Sequence, residues 1–264
     1  MQNHPLIDIR DLIKRFPSGE GDFTALRGIT LTFAPGEFAG LVGPSGSGKT
    51  TLLNIIGSLD GPSEGQVAVL GNDMARLTPK AAAELRNHHI GFIFQTYNLL
   101  PVFSVFDNVE FPLLLQKSSG AARRKAVMAA LEWVGLADKA RSRPNRLSGG
   151  ECQRVSIARA MVKRPELVLA DEPSANLDAA NSHHILATMK KLNRELGTTF
   201  LFATHDEKVM QYLDRIIYLE DGRVARDEWS GGGENGPAAA DPSHRDLAAG
   251  TPAEDDHARD QTGL

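Results

Sequence analysis

Among its 264 residues the chain has one cysteine, Cys152, so an intramolecular disulfide framework is excluded and the usage fits a reducing compartment. A basic excess is missing too. Lys and Arg number 29 against 33 Asp and Glu, whereas a nucleic-acid face needs clustered positive charge, so no nucleic-acid partner is expected. No stretch approaches the roughly 20 apolar residues that cross a bilayer. The first ten residues carry Asp8 and no apolar core, unlike a secretory signal. If the protein serves a membrane, the expectation is that another chain spans it. What remains is ordinary: 41% hydrophobic and 23% charged residues suit one large globular domain or two small ones.

Charge is unevenly spread. Residues 230–264 hold seven acids and two bases, a net of −5 that leaves +1 on residues 1–229. The same segment contains Gly231-Gly232-Gly233, Pro237, Pro242 and Pro252 and almost no large apolar side chain. Too little apolar surface is available there to offset chain entropy, which predicts an acidic disordered tail. The folded domain is expected over residues 4–229.

Three apolar runs within it, residues 38–42, 167–170 and 199–203, lack alternation and read as strands buried on both faces of a parallel sheet. Polar or glycine residues follow each at once: Gly43-Pro44-Ser45, Asp171-Glu172 and Thr204-His205-Asp206. Ligands of open α/β sheets bind beyond the carboxyl ends of the strands, so the three clusters point to one site. Residues 6–16 and 28–33 alternate apolar with polar, as half-buried antiparallel strands do. Residues 216–226 read as a hairpin around a type I′ Asp221-Gly222 turn. Helical patterns dominate from 101 to 163, notably 121–134 and 150–163. The fold class is therefore α/β, with a mostly parallel core sheet, a small antiparallel sheet and a helical insertion at about 96–163.

Gly43-Pro44-Ser45-Gly46-Ser47-Gly48-Lys49-Thr50 fits G-x-x-x-x-G-K-[ST], after a buried strand and before a helical stretch at 49–58. In that context glycines turn successive N–H groups inward around an anion, and the helix N-terminus adds its field. Lys49 reaches the β- and γ-phosphates and the Thr50 hydroxyl holds Mg²⁺; Thr51, next along, joins the cofactor-binding set. A strand ending in two acids could merely cap the next helix. Beside a phosphate cradle, Asp171 reads instead as the carboxylate orienting Mg²⁺, and Glu172 as the group that orients or deprotonates water. His205 is singled out from the eight histidines because it is predicted beside the phosphates. The pairs His88-His89 and His183-His184 read as solvated helix faces.

Leu147-Ser148-Gly149-Gly150-Glu151-Cys152-Gln153 has no use in a simple P-loop kinase. It resembles the signature motif of ABC ATPases, and the rest of that family's pattern follows in order. Gln95, after Phe92-Ile93-Phe94, matches the Q-loop glutamine, counted with both the catalytic set and the Mg²⁺ ligands. Ser174-Ala175-Asn176-Leu177-Asp178 matches the D-loop, and His205 the switch histidine. Phe16 stands where these proteins commonly carry a tyrosine that stacks on adenine, and stacking needs only the ring face. The resemblance implies ATP and Mg²⁺ as cofactors and a second copy of the chain as partner. Ser148, Gly149, Gly150 and Asp178 would then meet nucleotide held by the other copy's cradle. Cys152 reads as a tolerated small side chain rather than a redox centre.

The resemblance covers roughly residues 6–227. Asn98-Leu99-Leu100-Pro101, Asp107-Asn108-Val109 and Phe111-Pro112-Leu113 resemble the branch serving lipoprotein release, macrolide efflux and cell division. Ala83-Glu84-Leu85-Arg86-Asn87 ahead of Ile90-Gly91-Phe92, and Leu192-Asn193-Arg194 with Gly197-Thr198, look closest to lipoprotein-release ATPases. This implies an ATP-hydrolysing subunit on the cytoplasmic face of a bacterial inner membrane, driving a separate transmembrane permease that meets residues 95–101. A macrolide exporter would carry membrane segments on the same chain, whereas a cell-division regulator shares the present architecture. A DNA-repair ABC protein would separate cradle and signature by a long coiled coil, and a translation factor would carry two cassettes.

Overall fold

Continuous apolar runs place both faces of a strand under cover, and the computed structural model, which describes residues 4–19 and 21–230, puts all three at the centre of one sheet. The strands are β1 (Ile7–Phe16), β2 (Phe23–Phe33), β3 (Phe38–Val42), β4 (Glu64–Val69), β5 (Asn72–Asp73), β6 (Ile90–Ile93), β7 (Leu167–Asp171), β8 (Thr199–Thr204), β9 (Arg215–Glu220) and β10 (Arg223–Trp229). The helices are α1 (Lys49–Ile56), α2 (Pro79–His89), α3 (Val105–Leu114), α4 (Gly120–Trp133), α5 (Gly149–Met161), α6 (Ala179–Leu196) and α7 (Glu207–Met210). The larger sheet runs β10-β9-β3-β8-β7-β6, parallel except for β10. The smaller, β2-β1-β4-β5, is antiparallel throughout.

Alternation of side chains along a strand divides the interior into two cores. Phe38, Val42, Phe200 and Phe202 face the core shared with α3, α4, α5 and α6. Ala39, Leu41, Leu201 and Ala203 face the core shared with α1 and the antiparallel sheet. Both faces of β3 and β8 are thus apolar because each meets a core, and the cradle follows directly on a strand fixed from both sides.

Differences from the sequence expectations have local causes. Strand β2 starts at Phe23 rather than residue 28, because Gly28 at φ 81 and register shifts in the β1–β2 pair break the two-residue period. Helices α2 and α6 were expected only as solvated helical stretches around His88-His89 and His183-His184, without bounds, although their caps are plain in the structure. Thr78 and Asp178 accept at the N-termini, and Gly197 ends α6 at φ 68. The Asp221-Gly222 turn has φ 46 and 75, as type I′ requires. Gly222 also reaches inward: its N–H donates to Ser47 O (3.2 Å), its carbonyl accepts from Arg27 N (2.8 Å), and a Cβ there would meet Ala25 O at 2.5 Å. The tail proposed for 230–264 lies, apart from Ser230, outside the described residues.

Inside the helical part, Asn108 explains one of the branch motifs. It is 1% exposed; its Oδ1 accepts from Leu100 N (2.7 Å), and its Nδ2 donates to the carbonyls of Leu100 (3.1 Å) and Ser104 (2.9 Å). One buried amide therefore fixes the loop that begins at Asn98-Leu99-Leu100-Pro101.

Candidate functional site

The turn from β3 into α1 is a phosphate cradle in its local chemistry. Gly48 is the N-cap residue of α1 at φ 101, and a Cβ there would meet Leu26 Cδ2 at 2.7 Å and Ala25 O at 2.9 Å. No side chain caps this helix and its first turn holds no acid, so its N–H groups and positive end are available to an anion. Lys49 is 8% exposed, and its Nζ donates to the carbonyls of Gly43 (2.7 Å) and Pro44 (2.9 Å). Burial lowers its pKa, while Glu172 and Asp171 pull it back up.

Strand β7 delivers the acids. Thr50 Oγ1 donates to Asp171 Oδ2 (3.1 Å) and Oδ1 (3.3 Å). Burial raises the Asp171 pKa, opposed by the Thr50 hydrogen bond, and Glu172 raises it further. Glu172 adopts φ 46, a backbone state non-glycine residues rarely take and one that collects at functional sites. Three contacts hold it. Its N–H donates to Ala203 O (2.9 Å), Thr204 Oγ1 donates to Oε2 (3.2 Å), and His205 Nδ1–H donates to Oε1 (2.6 Å). A hydroxyl beside a carboxylate at the open end of an anion cradle is the hard-oxygen donor set that Mg²⁺ takes together with phosphates, so the residues fit a Mg²⁺–nucleotide.

These groups share a cleft of about 410 Å³, lined by Phe16, Phe23, Ala25, Ser45, Gly46, Ser47, Gly48, Lys49, Thr50, Thr51, Gln95, Asp171, Glu172 and His205. Gly43 and Pro44, expected among the nucleotide-binding residues, are not in the lining; their carbonyls accept from Lys49 Nζ instead. Phe23 and Ala25 escaped the sequence reading. Phe23 is the cross-strand neighbour of Phe16 and is 57% exposed, so two rings stand at the cleft wall. The signal was an aromatic opposite the expected stacking residue, hidden by the missed start of β2.

Ser148, Gly149, Gly150 and Asp178 do not line this cleft. Ser148 is the N-cap of α5 in a capping box: its Oγ accepts from Glu151 N (3.3 Å), and its N–H donates to Glu151 Oε2 (2.8 Å). Ser148 and Gly149 are exposed, whereas Gly150 is buried. Asp178 caps α6 through Asn181 and is exposed. Cys152 is 9% exposed and burial pushes its thiol pKa up, which makes it an inert packing residue. The His88-His89 and His183-His184 pairs lie on exposed faces of α2 and α6.

Known proteins resemble this chain in sequence and fold. Residues 26–175 match the ABC transporter family. The lipoprotein-releasing system ATP-binding protein LolD of Geobacter metallireducens is 47% identical over 225 residues, covering 84% of this chain and 99% of that protein. The macrolide export ATP-binding/permease protein MacB of Rhodopirellula baltica is 46% identical over 225 residues, 84% of this chain and 33% of that one. The chain thus spans about a third of the macrolide-export relatives it matches. A dimeric post-hydrolysis state of the ATP-binding cassette MJ0796 bound to ADP and Pi superposes with a TM-score of 0.78 at 41% identity, covering 84% of this chain and 98% of that one. Cradle, acid pair and signature occur here in one fold and in family order, and the chain belongs to the ABC transporter family as an ATP-binding cassette.

Proposed function

We propose that two copies of the chain close on two ATP molecules and drive a separate transmembrane permease of the lipoprotein-release branch from the cytoplasmic face of a bacterial inner membrane. The carrying observation is the division of residues: the cleft holds Lys49, Thr50, Gln95, Asp171, Glu172 and His205, while Ser148 and Asp178 are exposed outside it. A signature displaced from its own cradle is free to meet nucleotide in another copy, and two-fold symmetry then gives two equivalent sites. A solved cassette similar to this chain, MJ0796, is dimeric, which supports this pairing.

Each residue has a task. Backbone N–H groups from Ser45 to Thr51 bind the phosphates, Lys49 neutralises the β- and γ-oxygens, and the Phe16 and Phe23 faces stack on the base. Thr50, Asp171 and Gln95 would hold Mg²⁺, which supplies charge neutralisation along the phosphates when bound. Glu172 accepts the proton of the attacking water, and His205, already on Glu172 Oε1, keeps that carboxylate aimed and faces the γ-phosphate. Hydrolysis removes the signature's contact and the dimer opens.

For the permease, support comes from a groove of about 470 Å³ between α2, β6, α3 and α5. Leu59, Phe94, Phe111 and Leu115 line it with Asn98, and Leu115 is 69% exposed. Among the described residues no helix is long and apolar enough to cross a membrane. Glu172→Gln should still bind ATP and form the ATP-dependent dimer, with hydrolysis reduced by about 10²–10⁴-fold. Near-normal single-turnover hydrolysis would remove Glu172 as the base.

A further inference from the structure

Gln153 is a fully buried amide that the proposed chemistry leaves unused. It lies in α5, five residues after Ser148, with 0% exposure, and its Nε2 donates to Pro173 O at 2.8 Å. Its Oε1 is buried with no hydrogen-bond partner among the described residues. An orphaned buried oxygen is costly, and an apolar side chain of the same length would fill the space without it. Packing alone therefore gives no reason for an amide here. The hydrogen bond does.

Pro173 directly follows Glu172, and having no N–H it presents only its carbonyl to the backbone's partners. Glu172 sits at φ 46, a conformation that persists only when its surroundings over-determine it. On one side β8 supplies that constraint, through Ala203 O. The turn closes on itself through Ala175 N to Glu172 O (3.2 Å), and Ser174 Oγ donates to Asp206 Oδ2 (3.2 Å). The hydrogen bond from α5 is Gln153's.

We infer that Gln153 is a positioning residue for Glu172: it ties the helix that begins with the signature to the turn that aims the catalytic carboxylate, so that a shift of the signature is felt at Glu172. This rests on the reading of Glu172 as the base and of the signature as the contact to the partner's nucleotide. Gln153 is buried and does not line the nucleotide cleft, so its effect belongs in turnover and not in affinity. A link of this kind gives each hydrolytic site a physical connection to the nucleotide bound across the dimer.

The test uses the full chain and Mg-ATP. Gln153→Met keeps length and volume but donates nothing. It should melt within a few degrees of wild type, bind ATP within about twofold, dimerise on ATP, and lose on the order of ten- to a hundredfold in kcat. Gln153→Glu is the conservative rescue. Its protonated carboxyl donates to the Pro173 carbonyl, whereas the carboxylate repels it. Its kcat relative to wild type should therefore rise as pH falls, while that of Gln153→Met stays level. A kcat within twofold of wild type for Gln153→Met overturns the inference, as does a kcat loss matched by equal losses of ATP affinity and melting temperature. A Gln153→Glu profile fixed at the Gln153→Met level across pH also overturns it. A wild type that fails to hydrolyse ATP would bring down the underlying reading and this inference together, an outcome distinct from an active wild type with an equally active Gln153→Met.

Discussion

Lys49 holds its own loop in shape before any phosphate arrives. With the ammonium on the carbonyls of Gly43 and Pro44, its removal weakens both the empty cradle and the nucleotide contact. Lys49→Ala should lose a charge-assisted contact of about 1.5–3 kcal/mol, roughly a ten- to hundredfold rise in the ATP Kd by calorimetry. Unchanged affinity would contradict the cradle as drawn. Phe23→Ala should weaken ATP binding by about 0.5–1.5 kcal/mol in the same assay, the range of an aromatic pair, and an unaltered Kd would leave Phe16 as the sole stacking ring. Cradle and acid pair were legible in the sequence because their chemistry is contiguous, from Gly43 to Thr50 and at Asp171-Glu172. Phe23 was not, because only the register of two strands brings it to Phe16.

Among the elements, α5 carries the signature at its start, and Lys163 follows its end in the wall of the groove. Lys163 donates to the Arg86 carbonyl, and burial lowers its pKa to about 8 from 10.5. A base whose folded pKa is depressed binds its proton more weakly in the native state. Between pH 8 and 10.5 the unfolded chain therefore holds more protons, and stability rises with pH by up to about 1.4 kcal/mol per unit. Urea unfolding at pH 7.5 and 9.5 should show wild type gaining on Lys163→Met at the higher pH; a constant difference would refute the assignment. Element boundaries were recovered where caps and periods agreed, as in α4 and α5. Strand β2 was shortened by Gly28, and α6 was read only for its solvated face at His183-His184, without bounds and without the buried stripe of Ile185, Leu186, Met189 and Leu192.

For the whole molecule, the decisive claim is that one site needs two chains. Ser148→Arg should bind ATP as a monomer yet fail to dimerise on it, measured by light scattering in the Glu172→Gln background. Mixing Ser148→Arg with Lys49→Ala chains that retain Glu172 pairs an intact cradle with an intact signature at one of the two sites. ATPase activity should then reappear, and none in the mixture would argue against sites built across copies. Sequence order displayed every motif of this arrangement, but it gave no distance between cradle and signature. That separation is set by α3, α4 and α5 packing on their own side of the large sheet.

Strand β3 pairs with β8 and β9, and the Gly222 turn closes on Ser47 and Arg27. During synthesis the ribosome must therefore release some 170 further residues after the cradle before its neighbours exist, on the order of ten to thirty seconds at usual elongation rates. Throughout that interval the nascent chain carries an apolar β3 without the strands that cover its edges, which makes the half-made cassette a client for chaperones and leaves nucleotide capture to the last stretch of translation.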